Sequence, residues 1–184
     1  LAHNIGMIHQ HFMLVQTLTV AENVALGLKA GGLVVDLDGV RERLLKLAKV
    51  YGLKVNPDAY IWQLSVGEQQ RVEIIKALYH GGALVILDEP TAVLTPQECS
   101  ELFVTLKEMR AQGHALIFIS HKLHEVQELS DRVTVMRDGR VIDTAPNVNL
   151  DRRKLARMMV GRDVVFQPER PAVSVGEVKL SVRD

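Results

Sequence analysis

Long apolar runs are the first thing missing. No stretch approaches the ~20 apolar residues that a membrane-spanning helix needs, so any work at a membrane would go through a partner. No secretory leader is expected from the opening residues, since no basic, then apolar, then small-residue pattern follows Leu1. Cysteine is almost absent. Cys99 stands alone, which excludes an internal disulfide and fits a reducing compartment. There is no excess of either charge. Lys plus Arg and Asp plus Glu number 22 each, so a broad electrostatic footprint for nucleic acid or an anionic membrane is not supported. Low-complexity tracts are absent.

What is present is a chain able to build a core. Apolar residues make up 47% of 184, enough for one folded domain. Ile5 to His9 reads as a short strand ending at Gln10. Leu18 to Leu28 reads as a helix that Thr19 caps with Glu22 three residues on, and Gly27, Gly31 and Gly32 break it. Helical spacing recurs from Leu37 to Tyr51 and from Gly67 to Tyr79. Ala83 to Leu87 and Ala115 to Ile119 are continuous apolar runs. Between them Pro96 to Gln112 is amphipathic, with Gly113 closing it. Leu123 to Leu129 is helical, Asp138-Gly139 marks a hairpin between Arg132 to Met136 and Val141 to Asp143, and Leu150 to Val160 is a last helix. Short unalternating strands interleaved with helices predict an α/β fold with a parallel sheet covered on both faces. Pro168 to Pro171 looks like a linker, and Glu177 to Asp184 alternates like a strand.

Two segments carry candidate chemistry. In Leu84-Val85-Ile86-Leu87-Asp88-Glu89, four apolar residues build a buried strand and two carboxylates emerge at its C-terminal end. Ligands bind at that end in open α/β sheets. Asp88 is placed to hold water on Mg²⁺, and Glu89 to orient or deprotonate an attacking water. A buried strand meeting solvent at two acids looks the same. In Leu64-Ser65-Val66-Gly67-Glu68-Gln69-Gln70-Arg71, a Ser and a Gly lie at a helix start whose unpaired N–H groups and dipole favour an anion. An ordinary Ser-capped helix has that pattern as well. His121 follows the second apolar run and so also lies at the carboxyl edge of the sheet, although a lone His is more often structural. Gln10 ends a strand, where a Gln is usually a polar terminus.

Order and spacing give these residues a joint meaning. Gln10, then Ser65 to Glu68, then Asp88-Glu89, then His121 resembles the ABC ATPase family over about residues 4 to 162. Ile8-His9-Gln10 matches the lid glutamine. Leu64 to Arg71 matches the signature LSGGQQQR, with departures at Val66 and Glu68. Val85 to Pro90 matches the Walker B strand and catalytic glutamate, and Ile119-Ser120-His121 the switch histidine. Phe12 to Val15, Thr19 to Val24 and Leu64 to Ile75 resemble the ATP-binding proteins of carbohydrate and nucleoside importers, which carry two ATPase domains in tandem. In that comparison Thr95 of Thr91-Ala92-Val93-Leu94-Thr95 stands where most relatives carry an aspartate.

The resemblance implies a P-loop NTPase, RecA-like core with an inserted ABC α-helical subdomain. Residues 1–17 would hold the glutamine strand and the start of the lid, and residues 18–80 the helical subdomain ending in the signature. Residues 81–162 would hold the core with Walker B and switch His, and residues 163–184 a linker and the first strand of a second ATPase domain. The family's phosphate loop, G-x-x-x-x-G-K-[ST], occurs nowhere in the sequence. With the non-Met start, this reads as a chain lacking the Walker A strand and loop and inactive by itself. That strand is expected beside the Walker B strand, so Val85 to Leu87 would carry an unpaired edge.

In the complete protein the implied cofactors are ATP and Mg²⁺. Glu89 would be the general base and His121 would contact the γ-phosphate. Asp88 and Gln10 would serve the metal, partly through water, and Ser65, Gly67 and Glu68 the nucleotide of an opposing domain. Implied partners are transmembrane permease subunits, a second ATPase domain and, indirectly, an extracytoplasmic binding protein, at the cytoplasmic face of the membrane, with no nucleic acid. Two alternatives stand. One is a soluble ABC ATPase acting on DNA or ribosomes, against which weigh the balanced charge and too few residues between Gln10 and Leu64 for a long coiled coil. The other is a degenerate regulatory module, kept open by Glu68 and Thr95.

Overall fold

A computed structural model describes residues 4–28, 35–148 and 151–161. The expected linker at Pro168 to Pro171, the expected strand from Glu177 to Asp184, and Gly31 and Gly32 lie outside the described residues.

The strands and helices follow the predicted order closely. Strand β1 spans Ile5–Ile8, and helices α1 (Val20–Ala25), α2 (Leu37–Val50) and α3 (Val66–Tyr79) come next. Strand β2 (Leu84–Asp88), helix α4 (Pro96–Ala111), strand β3 (Ala115–Ile119) and helix α5 (Leu123–Leu129) alternate after them. The hairpin β4 (Arg132–Arg137) and β5 (Arg140–Pro146) precedes helix α6 (Arg152–Val160). Asp138 and Gly139 both adopt positive φ, 51° and 72°, which is what a two-residue hairpin turn requires.

Capping fixes where three of the helices begin. The Thr19 hydroxyl accepts from the Glu22 amide, and Glu22 accepts from the Thr19 amide at 2.7 Å. The same reciprocal box joins Ser65 to Glu68 and Thr95 to Glu98. Each satisfies two helix-end donors that would otherwise face water alone.

β1, β2 and β3 form one parallel sheet in that order. Leu84 pairs with both Ile5 and Ala115, and Leu87 with both Ile8 and Phe118. The expectation of an unpaired edge along Val85 to Leu87 is therefore wrong. β2 is the middle strand, and the open edges among the described residues belong to β1 and β3.

A second expectation also needs correcting. Gly6, Ile8, Val85 and Leu87 point to a buried face, but Met7 and Ile117, both in register with Ile86, are 46% and 47% exposed. Among the described residues, helices cover one face rather than two. The cause is topological. Each crossover moves one strand in the same direction across the sheet, and right-handed crossovers then put their helices on the same side.

The core is continuous. Ile8, Val85 and Leu87 of the sheet belong to one buried cluster with Val20, Val24 and Leu44 of the helical block and with Leu106 and Met109 of α4. Helices α1, α2 and α3 pack on one another, and α3 packs on β1.

Candidate functional site

The parallel register determines which side chains meet. β2 delivers Asp88 as its last residue, opposite Ile119 at the end of β3. Glu89 follows, and its amide donates to the Ile119 carbonyl at 3.0 Å. Its backbone takes φ 44°, a left-handed conformation that a non-glycine residue adopts only where its surroundings hold it. His121 leaves β3 at the same edge, and its Nδ1 lies 2.9 Å from Glu89 Oε1. β1 ends with Ile8 opposite Leu87, so the exposed Gln10 leaves the same edge of the sheet. A carboxylate and an imidazole in contact at the carboxyl ends of adjacent parallel strands can together take, hold or pass on one proton.

The segment after Gln10 is pinned to the helical block. The Met13 amide donates to Glu73 Oε1 at 2.6 Å, and Lys76 Nζ donates to the Met13 carbonyl at 3.2 Å. Asn23, fully buried, accepts from the Val15 amide and donates to the Val15 carbonyl. Nearby, the Trp62 amide donates to the Gln16 carbonyl. Trp62, Met13 and Val15 are all exposed, Trp62 to 64%.

The second group, Ser65, Gly67 and Glu68, sits at the start of α3. Among the described residues, no hydrogen bond links it to Gln10, Asp88, Glu89 or His121. Two carboxylates already occupy this helix start. Glu68 Oε2 accepts from the Ser65 amide at 2.8 Å. Glu98 reaches across from α4, where the Thr95 amide and hydroxyl hold its carboxyl below the usual carboxylate range, with smaller lowering contributions from the Gly67 amide and the Arg71 charge. A Cβ at Gly67 would collide with the Glu98 carboxylate. One turn further along α4, Glu101 pairs with Arg71 at 3.2 Å. The end of α3 thus accepts anionic oxygen, as its dipole and free N–H groups favour.

Four residues near these groups were not singled out from the sequence. Glu98 had a signal, since it lies three residues after Thr95 at capping-box spacing. Thr91, Lys122 and Glu125 had none. They meet through tertiary folding, with Thr91 2% and Glu125 1% exposed.

Metal-ligand residues are sparse. Among the described residues, no group of three or more His, Cys, Asp or Glu could hold a metal ion unaided. Asp88 and Gln10 supply oxygen donors at one sheet edge. Such a set fits an oxygen-loving divalent ion whose remaining ligands are water and phosphate.

Comparisons with known proteins bear on this arrangement. The family described as ABC transporter matches residues 1–92. Among curated proteins, the nucleoside import ATP-binding protein NupA of Lactococcus lactis subsp. cremoris is 47% identical over 181 residues, covering 98% of this chain and 36% of that protein. Ribose import ATP-binding protein RbsA 3 of Rubrobacter xylanophilus is 44% identical over 180 residues, covering 97% and 36%. The chain thus spans about a third of the length of the curated relatives it matches. Among solved structures, cbiO1 from Clostridium perfringens, described as part of the ABC transporter complex cbiONQ, is similar with a TM-score of 0.66 at 29% identity. The match covers 85% of this chain and 61% of that one. A dimeric ATP-binding cassette in a post-hydrolysis state, bound to ADP and Pi, is similar with a TM-score of 0.64 at 25% identity, covering 81% and 66%.

Proposed function

The chain belongs to the ABC transporter family, and from that premise we propose that it forms part of the ATP-hydrolysing subunit of an importer for a sugar or a nucleoside. The observation that carries this reading is the contact of Glu89 with His121 at the sheet edge that also releases Asp88 and Gln10. The names of the relatives, which are nucleoside and ribose importers, support the substrate class.

On this reading residues 18–80 form the helical subdomain, residues 81–162 the core, and residues 1–17 lead into the lid. Residues 163–184 are a linker and the start of a second ATPase domain. Glu89 accepts a proton from the attacking water through its carboxylate. His121 Nδ1–H donates to Glu89 on this reading, so a γ-phosphate oxygen accepts from Nε2–H, and the ring makes both bonds as the doubly protonated imidazolium. Asp88 and Gln10 hold Mg²⁺ partly through water, and the bound ion supplies charge neutralisation on the phosphate oxygens. Ser65, Gly67 and Glu68 present the start of α3 to the nucleotide of an opposing ATPase domain. The Ser65 hydroxyl and the amides of Ser65 and Gly67 are the donors there, and Glu68 and Glu98 must yield those two amides to phosphate oxygen. Rate comes from positioning and electrostatics rather than covalent chemistry.

Thr95, where the resemblance implies an aspartate, caps α4, so a departure there keeps the local structure. Among the described residues no helix is long and apolar enough to cross a membrane. The exposed Met13, Val15 and Trp62 near Gln16 are the surface proposed to meet a permease subunit at the cytoplasmic face, with an extracytoplasmic binding protein delivering substrate to that permease. No G-x-x-x-x-G-K-[ST] lies in the 184 residues, so this chain by itself is proposed not to turn over ATP.

The test is ATP hydrolysis by the full-length protein reconstituted with its permease, assayed against a panel of sugars and nucleosides. Stimulation by one of them is expected. Hydrolysis indifferent to the permease and to every transported compound would sink the importer reading.

A further inference from the structure

We infer that Glu125 is a positioning residue that sets the geometry of Glu89 and His121 by tying together the segments leaving β2 and β3.

Glu125 lies on α5 and is 1% exposed. A carboxylate in such a place is costly unless its oxygens are fully partnered, and here they are. Thr91 Oγ1 lies 2.7 and 2.8 Å from its two oxygens, Ser120 Oγ donates at 2.8 Å, and Lys122 Nζ stands 3.3 Å away. Lys122 Nζ also donates to the Thr91 carbonyl at 2.9 Å and to Thr91 Oγ1 at 3.3 Å. Glu125 is the one residue of α5 that is fully buried, so a polar anchor seats this helix alongside the partly buried Leu129, which packs against the core.

The partners explain what the anchor is for. Thr91 follows Glu89 by two residues, and Ser120 immediately precedes His121. The two chain segments that carry the acid–imidazole pair are held on one carboxylate. Glu89 needs such support, because its φ of 44° is strained for a residue with a Cβ. The Glu89 amide is fixed to β3 through the Ile119 carbonyl, so a shift of Thr91 or Ser120 changes how Glu89 faces His121. Loss of the anchor should therefore reach the catalytic pair without touching substrate.

The consequence for rate rests on the proposed ATPase reading; the consequence for backbone order does not. The experiment measures kcat and KM for ATP in the full-length protein with Glu125→Gln, and amide hydrogen exchange in the same samples. An amide side chain cannot accept from Thr91, Ser120 and Lys122 together. The expected result is a kcat lower by about tenfold or more with KM little changed, the signature of a lost transition-state arrangement. Exchange at the Glu89 amide should rise by about tenfold while amides of α2 keep their protection. If Glu125→Gln does not fold, Thr91→Val and Ser120→Ala each remove one arm and should give the same split. Unchanged kcat and unchanged Glu89 exchange in a folded variant overturn the inference, and so does a rise in exchange spread evenly over the chain. Absent ATP turnover in the unmodified protein instead sinks the ATPase reading, and the exchange data still decide the role of Glu125.

Discussion

Glu89 Oε1 and His121 Nδ1 stand 2.9 Å apart at the ends of two neighbouring parallel strands. Neither side chain could find the other without the β2–β3 register. If His121 meets the γ-phosphate, His121→Ala in the full-length protein removes one preorganised donor. ATP turnover should fall by about 10²–10³-fold, the usual cost of such a loss, with ATP binding retained. Unchanged turnover would assign His121 a structural role.

Gly67→Ala offers a test of the α3–α4 contact. In an ordinary helix this change gains about 0.5–1 kcal/mol. At this position the new methyl meets the Glu98 carboxylate, which can move aside only by loosening its bonds to the Thr95 amide and hydroxyl, and hydrogen bonds to a charged group are worth about 1.5–3 kcal/mol each. Crowding wins, so calorimetry should record a lower Tm for the variant. Adding Glu98→Ala should recover part of the loss, and a raised Tm in the single variant would refute the contact.

Acid should weaken the Thr95–Glu98 cap that holds this carboxylate. The folded state holds the Glu98 carboxyl below its ordinary value of 4.5, chiefly through the Thr95 amide and hydroxyl. A depressed pKa contributes stability in full above the unfolded value, and that contribution is lost as pH falls through the folded one. Glu98→Gln should therefore lower Tm at neutral pH, and the gap to the unmodified protein should narrow as pH drops below about 4.5. A gap independent of pH would mean that the charge on Glu98 does not matter.

Much of this fold could be read from the sequence because its signals are local. Thr19 with Glu22, the apolar run before Asp88, Pro96 with Gly113 and Asp138-Gly139 each specify an element within a few residues. Sheet order could not be read that way. An unpaired edge on β2 is the wrong expectation because pairing is decided by crossovers of many residues, not by the apolar character of Val85 and Leu87. The site divides similarly. Asp88, Glu89 and His121 can be placed at strand ends from the apolar runs before them, although only their order and spacing give them a joint meaning, whereas Glu125 lies on a short polar helix and becomes informative only once Thr91 and Ser120 are folded against it.

The open side of the sheet predicts association. Met7, Ile117 and Ile119 form part of an exposed apolar face, and among the described residues β3 has an open edge. Unpaired apolar edges recruit other chains. The 184-residue chain should therefore sediment with a concentration-dependent increase in mass, and Ile117→Lys should reduce it. A monodisperse monomer at all concentrations would contradict this.

If Glu89 is the proposed base for ATP hydrolysis, its ability to accept a proton decides the rate. Glu89→Gln in the full-length protein keeps size and hydrogen bonding but removes proton acceptance. ATP binding by calorimetry should persist while turnover falls by about 10²–10⁴-fold. Turnover equal to that of the unmodified protein would contradict the account.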